Sequence, residues 1–138
     1  MPHFKNLSAR SLQYYVISKK WALDVEFFKF EISFLKQLTH QRFVNVSEET
    51  TVILGQLREN LLNLERDNEH AFELLEEQSR LLELAAEDII PEDIDELATK
   101  QIHLEYLMST LTADFRAIKK EIYEVVSLQL ARNKHSQN

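Results

Sequence analysis

The chain has 138 residues, a net charge of −7 and no cysteine. That length suits one domain, and the absent cysteine excludes a disulfide scaffold, thiolate metal sites and a cysteine nucleophile. Leu, Glu, Ala, Lys and Arg supply 63 residues, against one Gly and two Pro; this lacks the turn chemistry of a many-stranded β fold and fits long helices.

The first helix is expected over residues 8–40. Within it the apolar side chains occupy an arc of roughly 220° at 100° per residue. Trp21, Val25, Phe28, Ile32 and Leu35 form one edge, and Leu23, Phe27, Phe30, Phe34 and Leu38 form the other. A helix with two neighbours needs a narrower face, so the excess predicts a further partner, with a second copy of the chain favoured. The expected interaction surface is Trp21, Phe27, Phe28, Phe30, Phe34 and Leu38. Asp24 and Glu31 lie seven residues apart on a row through the middle of this arc, where a carboxylate must be paired or coordinated. Lys20 stands four residues before Asp24, and Arg58, Arg80 and Arg116 are further candidate partners.

The run from Trp21 to Leu38, WALDVEFFKFEISFLKQL, resembles a pattern in uncharacterised bacterial all-helical proteins of similar length. There a Trp opens a helix and is followed by an acid, aromatics, Lys, an acid and hydrophobics. The resemblance implies a helical fold and brings no activity with it.

A break follows over His40–Ser47, where β-branched residues and Asn interrupt the periodicity. Either Asn45, with Glu48 three residues on, or Ser47, followed by Glu48 and Glu49, can cap the second helix. That helix is expected over 47–88, with a heptad seam of Leu54, Leu57, Leu61, Leu64, Asn68, Ala71, Leu75, Gln78, Leu82, Ala85 and Ile89. Asn68 reads as a register device. Gly55, the only glycine, is expected to admit a bulky neighbour, an aromatic of the first helix. A second break spans Asp88–Asp93, with Pro91 at the first position of a third helix over 92–133. Its seam is Leu97, Gln101, Leu104, Met108, Leu111, Phe115, Ile118, Ile122, Val125 and Gln129. Sustained 3.5-residue periodicity and short connections predict an elongated, up-down antiparallel bundle of three long helices with coiled-coil-like packing, a single all-α domain over 1–138.

Charge is segregated along this plan: +4 over residues 1–47, −13 over 48–96 and +2 over 97–138. Basic, acidic and basic segments attract one another when packed side by side, and the acidic face is also a possible docking surface. Nucleic acid is not an expected partner, because no Lys/Arg run exceeds the pairs Lys19-Lys20 and Lys119-Lys120. No stretch approaches the ~18 apolar residues of a membrane span, and no run of signal-peptide length opens the chain. The expected location is cytoplasmic.

The chemistry-bearing patterns are few. Di-iron bundles use Glu-x-x-His on two helices, and no histidine here has Glu three residues before it. Asp67 precedes His70 by three, but His70 is expected to point outward. No His-x-x-x-His or His-x-x-x-Glu pair exists. His3 and His135 fall near the chain ends, His40 at the end of the first helix and His103 on the flank of the third. One glycine cannot build a phosphate-cradling loop or a nucleophile elbow. The expected function is therefore a non-enzymatic structural or protein-interaction module without cofactor, self-associating through the first helix. The alternative is a bundle that binds a metal at Asp24 and Glu31, with His103 or Asp67 as further ligands, or a small apolar ligand beside Phe27, Phe30 and Phe34.

Overall fold

The computed structural model describes residues 6–41, 43 and 46–136, and contains three helices: α1 (Ala9–Thr39), α2 (Glu48–Ala86) and α3 (Ile94–Ser136). No strand occurs among the described residues. The fold is the all-helical, three-helix bundle that the periodicity predicts. His3, Asn45 and the side chain of His135 lie outside what is described.

Side chains and backbone geometry set the helix ends. Ser8 caps α1, its Oγ accepting the Ser11 N–H at 3.1 Å and its carbonyl the Leu12 N–H at 3.0 Å. Glu92 Oε1 accepts the Ser8 N–H at 2.7 Å, tying this cap to the segment before α3. At the other end, Arg58 Nε donates to the Thr39 carbonyl at 3.0 Å and Nη2 reaches the same oxygen. A guanidinium on the last turn satisfies an orphan carbonyl and complements the negative end of the helix dipole. Ser47 is the cap of α2, its Oγ accepting the Thr50 N–H at 3.0 Å.

Three expected boundaries move by two residues or more, one of them the end of α3, at Ser136 and not 133. α2 stops at Ala86, not at residue 88, because Asp88 takes a left-handed φ of 59°. The Ile89 N–H then bonds the Leu84 carbonyl at 2.9 Å and the Asp88 N–H the Ala85 carbonyl at 3.1 Å, the pair of bonds that closes a Schellman end. Ile89, expected in the seam, is consequently outside the helix and 62% exposed. α3 starts at Ile94 with Asp93 as its cap, since Asp93 Oδ1 accepts the Glu96 N–H at 3.1 Å and its carbonyl the Leu97 N–H at 3.0 Å. Pro91 therefore precedes the cap and is not the first helical residue.

The chain divides into two compact units, each drawing on all three helices. The first comprises Met1–Phe27 and Asn68–Thr110, the second Phe28–Asp67 and Leu111–Asn138. In the first, Tyr15 meets Glu83 while Val25 meets Asn68. In the second, Lys36 meets Glu65 while Thr39 meets Arg58. Within each unit, advance along α1 thus matches retreat along α2, so the two are antiparallel. In the second unit α3 runs with α1, because Phe28 faces Phe115 and Glu31 faces Lys119.

The buried residues follow the predicted seams closely. Every α2 seam residue but Ile89 is buried, and in α3 only Ile118 and Val125 are half-buried. α1 buries Ser11, Ser18, Val25, Ile32 and Thr39 at seven-residue intervals, with Phe28 and Leu35 between. The segregated charges also meet as expected: Lys19–Glu83 at 3.5 Å, Lys36–Glu65 at 2.9 Å and Lys100–Glu77 at 2.7 Å each join a basic helix to acidic α2. The side chains of the first two pairs are about a third or more exposed, so each of these contributes at most ~1 kcal/mol, while Glu77 of the third stands in solvent, where water screens the pair.

Gly55 corrects an expectation. It is exposed, and a Cβ added there would meet nothing within 4 Å. No aromatic approaches it, so its only effect is the backbone entropy of a glycine inside a helix. Gly55→Ala is expected to raise the unfolding free energy by about 0.5–1 kcal/mol in urea titrations; a loss of stability would mean the position is crowded after all.

Candidate functional site

α1 buries one of its two apolar edges. Val25, Phe28, Ile32 and Leu35 are in the core, Phe28 against Phe115 with ring centroids 4.7 Å apart. Trp21 and Leu38 are half-buried. Phe28 was expected on the interaction surface; it lies in the core of the second unit, 8% exposed, because it occupies the seam position between Val25 and Ile32. On the other edge, Leu23 is 68% exposed and Phe27 55% in the first unit, and Phe30 is 69% and Phe34 48% in the second. Phe27, Phe30 and Phe34 therefore line no internal gap of the kind a small apolar ligand would need.

The two acids on α1 have different surroundings. Glu31 is half-buried and its Oε1 accepts from Lys119 Nζ at 3.1 Å. The same ammonium lies 5.7 Å from the Phe115 ring centroid and 5.6 Å from that of Tyr123, so ring faces and a carboxylate hold it together. Asp24 is half-buried and has no ion pair among the described residues; Lys20, the expected partner, does not reach it. Arg58, another candidate, is spent on Thr39.

The expected further ligands do not assemble with these acids. His103 is exposed on α3 and Asp67 exposed on α2. Asp67 borders a shallow groove of about 290 Å³ in the second unit, opposite Asp114 and beside Asn60 and Asn63. Among the described residues, no three His, Asp or Glu side chains gather in a metal-binding arrangement.

The interior of the first unit carries a polar layer. Gln78 Nε2 donates to the Leu97 carbonyl at 2.9 Å and to Gln101 Oε1 at 3.1 Å, and Ser18 Oγ donates to the same Oε1 at 3.4 Å. Asn68 Nδ2 donates to the Val25 carbonyl at 3.0 Å. Ser18 is a fully buried member that the reading of α1 from Trp21 onward passes over, as it does the equally buried Ser11, whose Oγ has no partner among the described residues; the signal for both is their seven-residue spacing with Val25. At its margin, Tyr15 donates its hydroxyl to Glu83 Oε1 at 3.0 Å, and Lys19 lies 5.4 Å from the Tyr15 ring. Burial, with the adjacent Glu83 carboxylate second, holds the Tyr15 phenol above its usual range.

A second surface was not anticipated. In the second unit, α3 lines a shallow groove of about 770 Å³ with Arg116, Lys119, Lys120, Tyr123 and Leu128, against a single acid, Glu124. Read along the chain, Lys119-Lys120 is only a pair. The missing signal is Arg116, four residues before Lys120 and hence on the same helix face.

No family model, no curated protein and no solved structure matches the chain. Among the described residues, no helix is long and apolar enough to cross a membrane.

Two measurements check this geometry. Glu31→Gln breaks an ion pair whose side chains are 20% and 32% exposed and is expected to cost about 0.5–1 kcal/mol, whereas Asp24→Asn should stay within about 0.5 kcal/mol. A larger loss at Asp24 would show a carboxylate paired or buried there. Because the Tyr15 phenol is raised in the folded chain, its contribution is complete below the ordinary tyrosine range, near pH 10, and falls as pH rises through the folded value. Tyr15→Phe should therefore flatten the alkaline fall in stability and remove a phenolate transition lying above the ordinary tyrosine range in ultraviolet titration.

Proposed function

We propose that the chain is a non-enzymatic protein-interaction module that self-associates through the exposed apolar edge of α1. The observation that carries this reading is the exposure of Phe30 and Phe34, at 69% and 48%, after α1 has already filled its share of the core. Large rings are costly to leave in water, and a monomer gains nothing from placing them there.

A second copy is the partner that this edge favours, because the same apolar patch on each copy can cover the other across a two-fold axis. With aromatic side chains burying 150–250 Å² each, covering Phe30 and Phe34, both in the second unit, would remove roughly 200 Å² of apolar surface per copy. Ser33 and Gln37, exposed beside the rings on α1, would supply the polar rim that such interfaces carry. Among the described residues the two grooves named above are shallow, and the buried polar groups are amides and hydroxyls, some bonded to one another or to backbone and others, Asn68 Oδ1, Gln78 Oε1 and Gln101 Nε2, without a protein partner.

Sedimentation equilibrium tests the reading. The native chain should self-associate, and Phe30→Ser with Phe34→Ser should weaken that association by about tenfold or more with helicity unchanged, because neither ring is in the core. A native chain that stays monomeric up to high concentration, or a double variant that associates as the native chain does, overturns it.

A further inference from the structure

The α3 groove and the acidic part of α2 are complementary in both charge and shape of side chain. Along the groove, Arg116 and Lys120 are exposed and carry no ion pair among the described residues, while Lys119 is engaged with Glu31. In the same groove Tyr123 is 40% exposed and Leu128 62%. The surface thus sets three cations, two of them without an ion pair among the described residues, beside exposed apolar side chains, with Glu124 the one acid in its lining.

The opposite pattern stands on α2. From Asn68 to Ala86 that helix carries five Glu against one Arg, Arg80. Phe72 is 44% exposed there, with Glu69 one turn before it, Glu73 beside it and Glu76 one turn after. None of these three glutamates has an ion pair among the described residues; Glu77 and Glu83 take the lysines of α3 and α1. An exposed ring ringed by unpaired carboxylates is the chemistry that the groove lacks.

We infer that the α3 groove of one copy receives the Phe72 ridge of α2 from a second copy. The ring sits on Tyr123 and Leu128, and Glu69, Glu73 and Glu76 meet Arg116 and Lys120. Each copy carries one groove and one ridge, the requirement for a reciprocal pair or a head-to-tail row. Phosphate ligands fit less well: the whole chain is at −7, which repels a polyanion, and phosphate makes no use of the exposed apolar side chains. The inference shares with the proposed function only its premise that the partner is a second copy, and uses a different surface.

The test is a charge exchange read by sedimentation velocity at about 0.01 M and about 1 M salt, where the Debye length is ~30 Å and ~3 Å. One variant carries Arg116→Glu and Lys120→Glu, the other Glu69→Lys and Glu73→Lys; all four positions are exposed, and circular dichroism verifies that both variants fold. Each alone should associate about tenfold or more weakly than the native chain at low salt. Mixed, they should recover association, because each mismatched surface then meets its reversed counterpart, and high salt should abolish the recovery. A mixture no more associated than its components overturns the inference. Association that ignores charge reversal and salt but is lost in the Phe30→Ser, Phe34→Ser variant also overturns it while leaving the α1 reading standing. Association that follows charge and ignores those two rings has the reverse consequence.

Discussion

A helix with two neighbours can hide one seam, and α1 carries apolar side chains enough for two. Seven-residue spacing selects which seam goes inside: Val25, Ile32 and Thr39, with Phe28 and Leu35 between, repeat at the same period as the Leu seams of α2 and α3. Leu23, Phe27, Phe30 and Phe34 repeat at helical spacing too, but on the side turned away from those seams. Nothing within the three helices can bury both edges at once. The exposed rings follow from that constraint and not from a defect of packing, and the functional reading follows from the rings.

The same geometry explains the different treatment of two acids seven residues apart. Both sit at the margin of the buried seam, where a side chain can still reach water. Glu31 has the length to meet Lys119 across the gap to α3. Asp24 is shorter by a methylene and is half-buried without an ion pair among the described residues. Position on the row was therefore legible in the residue spacing, but the partner was not, because it depended on which α3 residue lies level with α1. Helix existence, order and seam residues were legible for the reason that long 3.5-residue periods leave few alternatives. Ends were less so. Pro91 offered a plausible first helical position, yet Asp93 has a side chain able to accept the Glu96 N–H, and a satisfied amide outweighs a compatible φ. Asp88 is not glycine, and its left-handed turn is supported by the Asn6 amide donating to its carboxylate at 2.8 Å and to the Ala86 carbonyl at 3.2 Å.

Surface chemistry was the least legible layer. Block charges along the chain announced the contacts of basic helices with acidic α2, since any packing of the three would bring them together. They could not show that Arg116 and Lys120 remain without an ion pair among the described residues beside Tyr123, because that depends on which acids the other helices spend elsewhere. Glu31 takes Lys119, Glu65 takes Lys36, and Glu77 takes Lys100. What is left over on each face is a property of the folded arrangement.

The polar layer of the first unit answers a difficulty that the apolar seams create. Leu-rich seams with a strict repeat fit almost equally well when one helix slides by seven residues past another, so burial alone leaves register underdetermined. Gln78 removes that freedom. Its Nε2 donates to the Leu97 carbonyl and Gln101 Oε1 while its Oε1 has no protein partner, and a slide of one heptad would bring Ala71 or Ala85 to that level, leaving the Nε2 donors unpaired as well. An unsatisfied buried polar group costs about 1–3 kcal/mol, more than the amide contributes when bonded. Asn68 acts in the same way on the α1 side through the Val25 carbonyl. Ser18, small and fully buried, leaves the room on α1 that the glutamine pair needs. The layer thus acts mainly against displaced pairings, and it holds the level of α1, α2 and α3 in this unit where leucines alone would not.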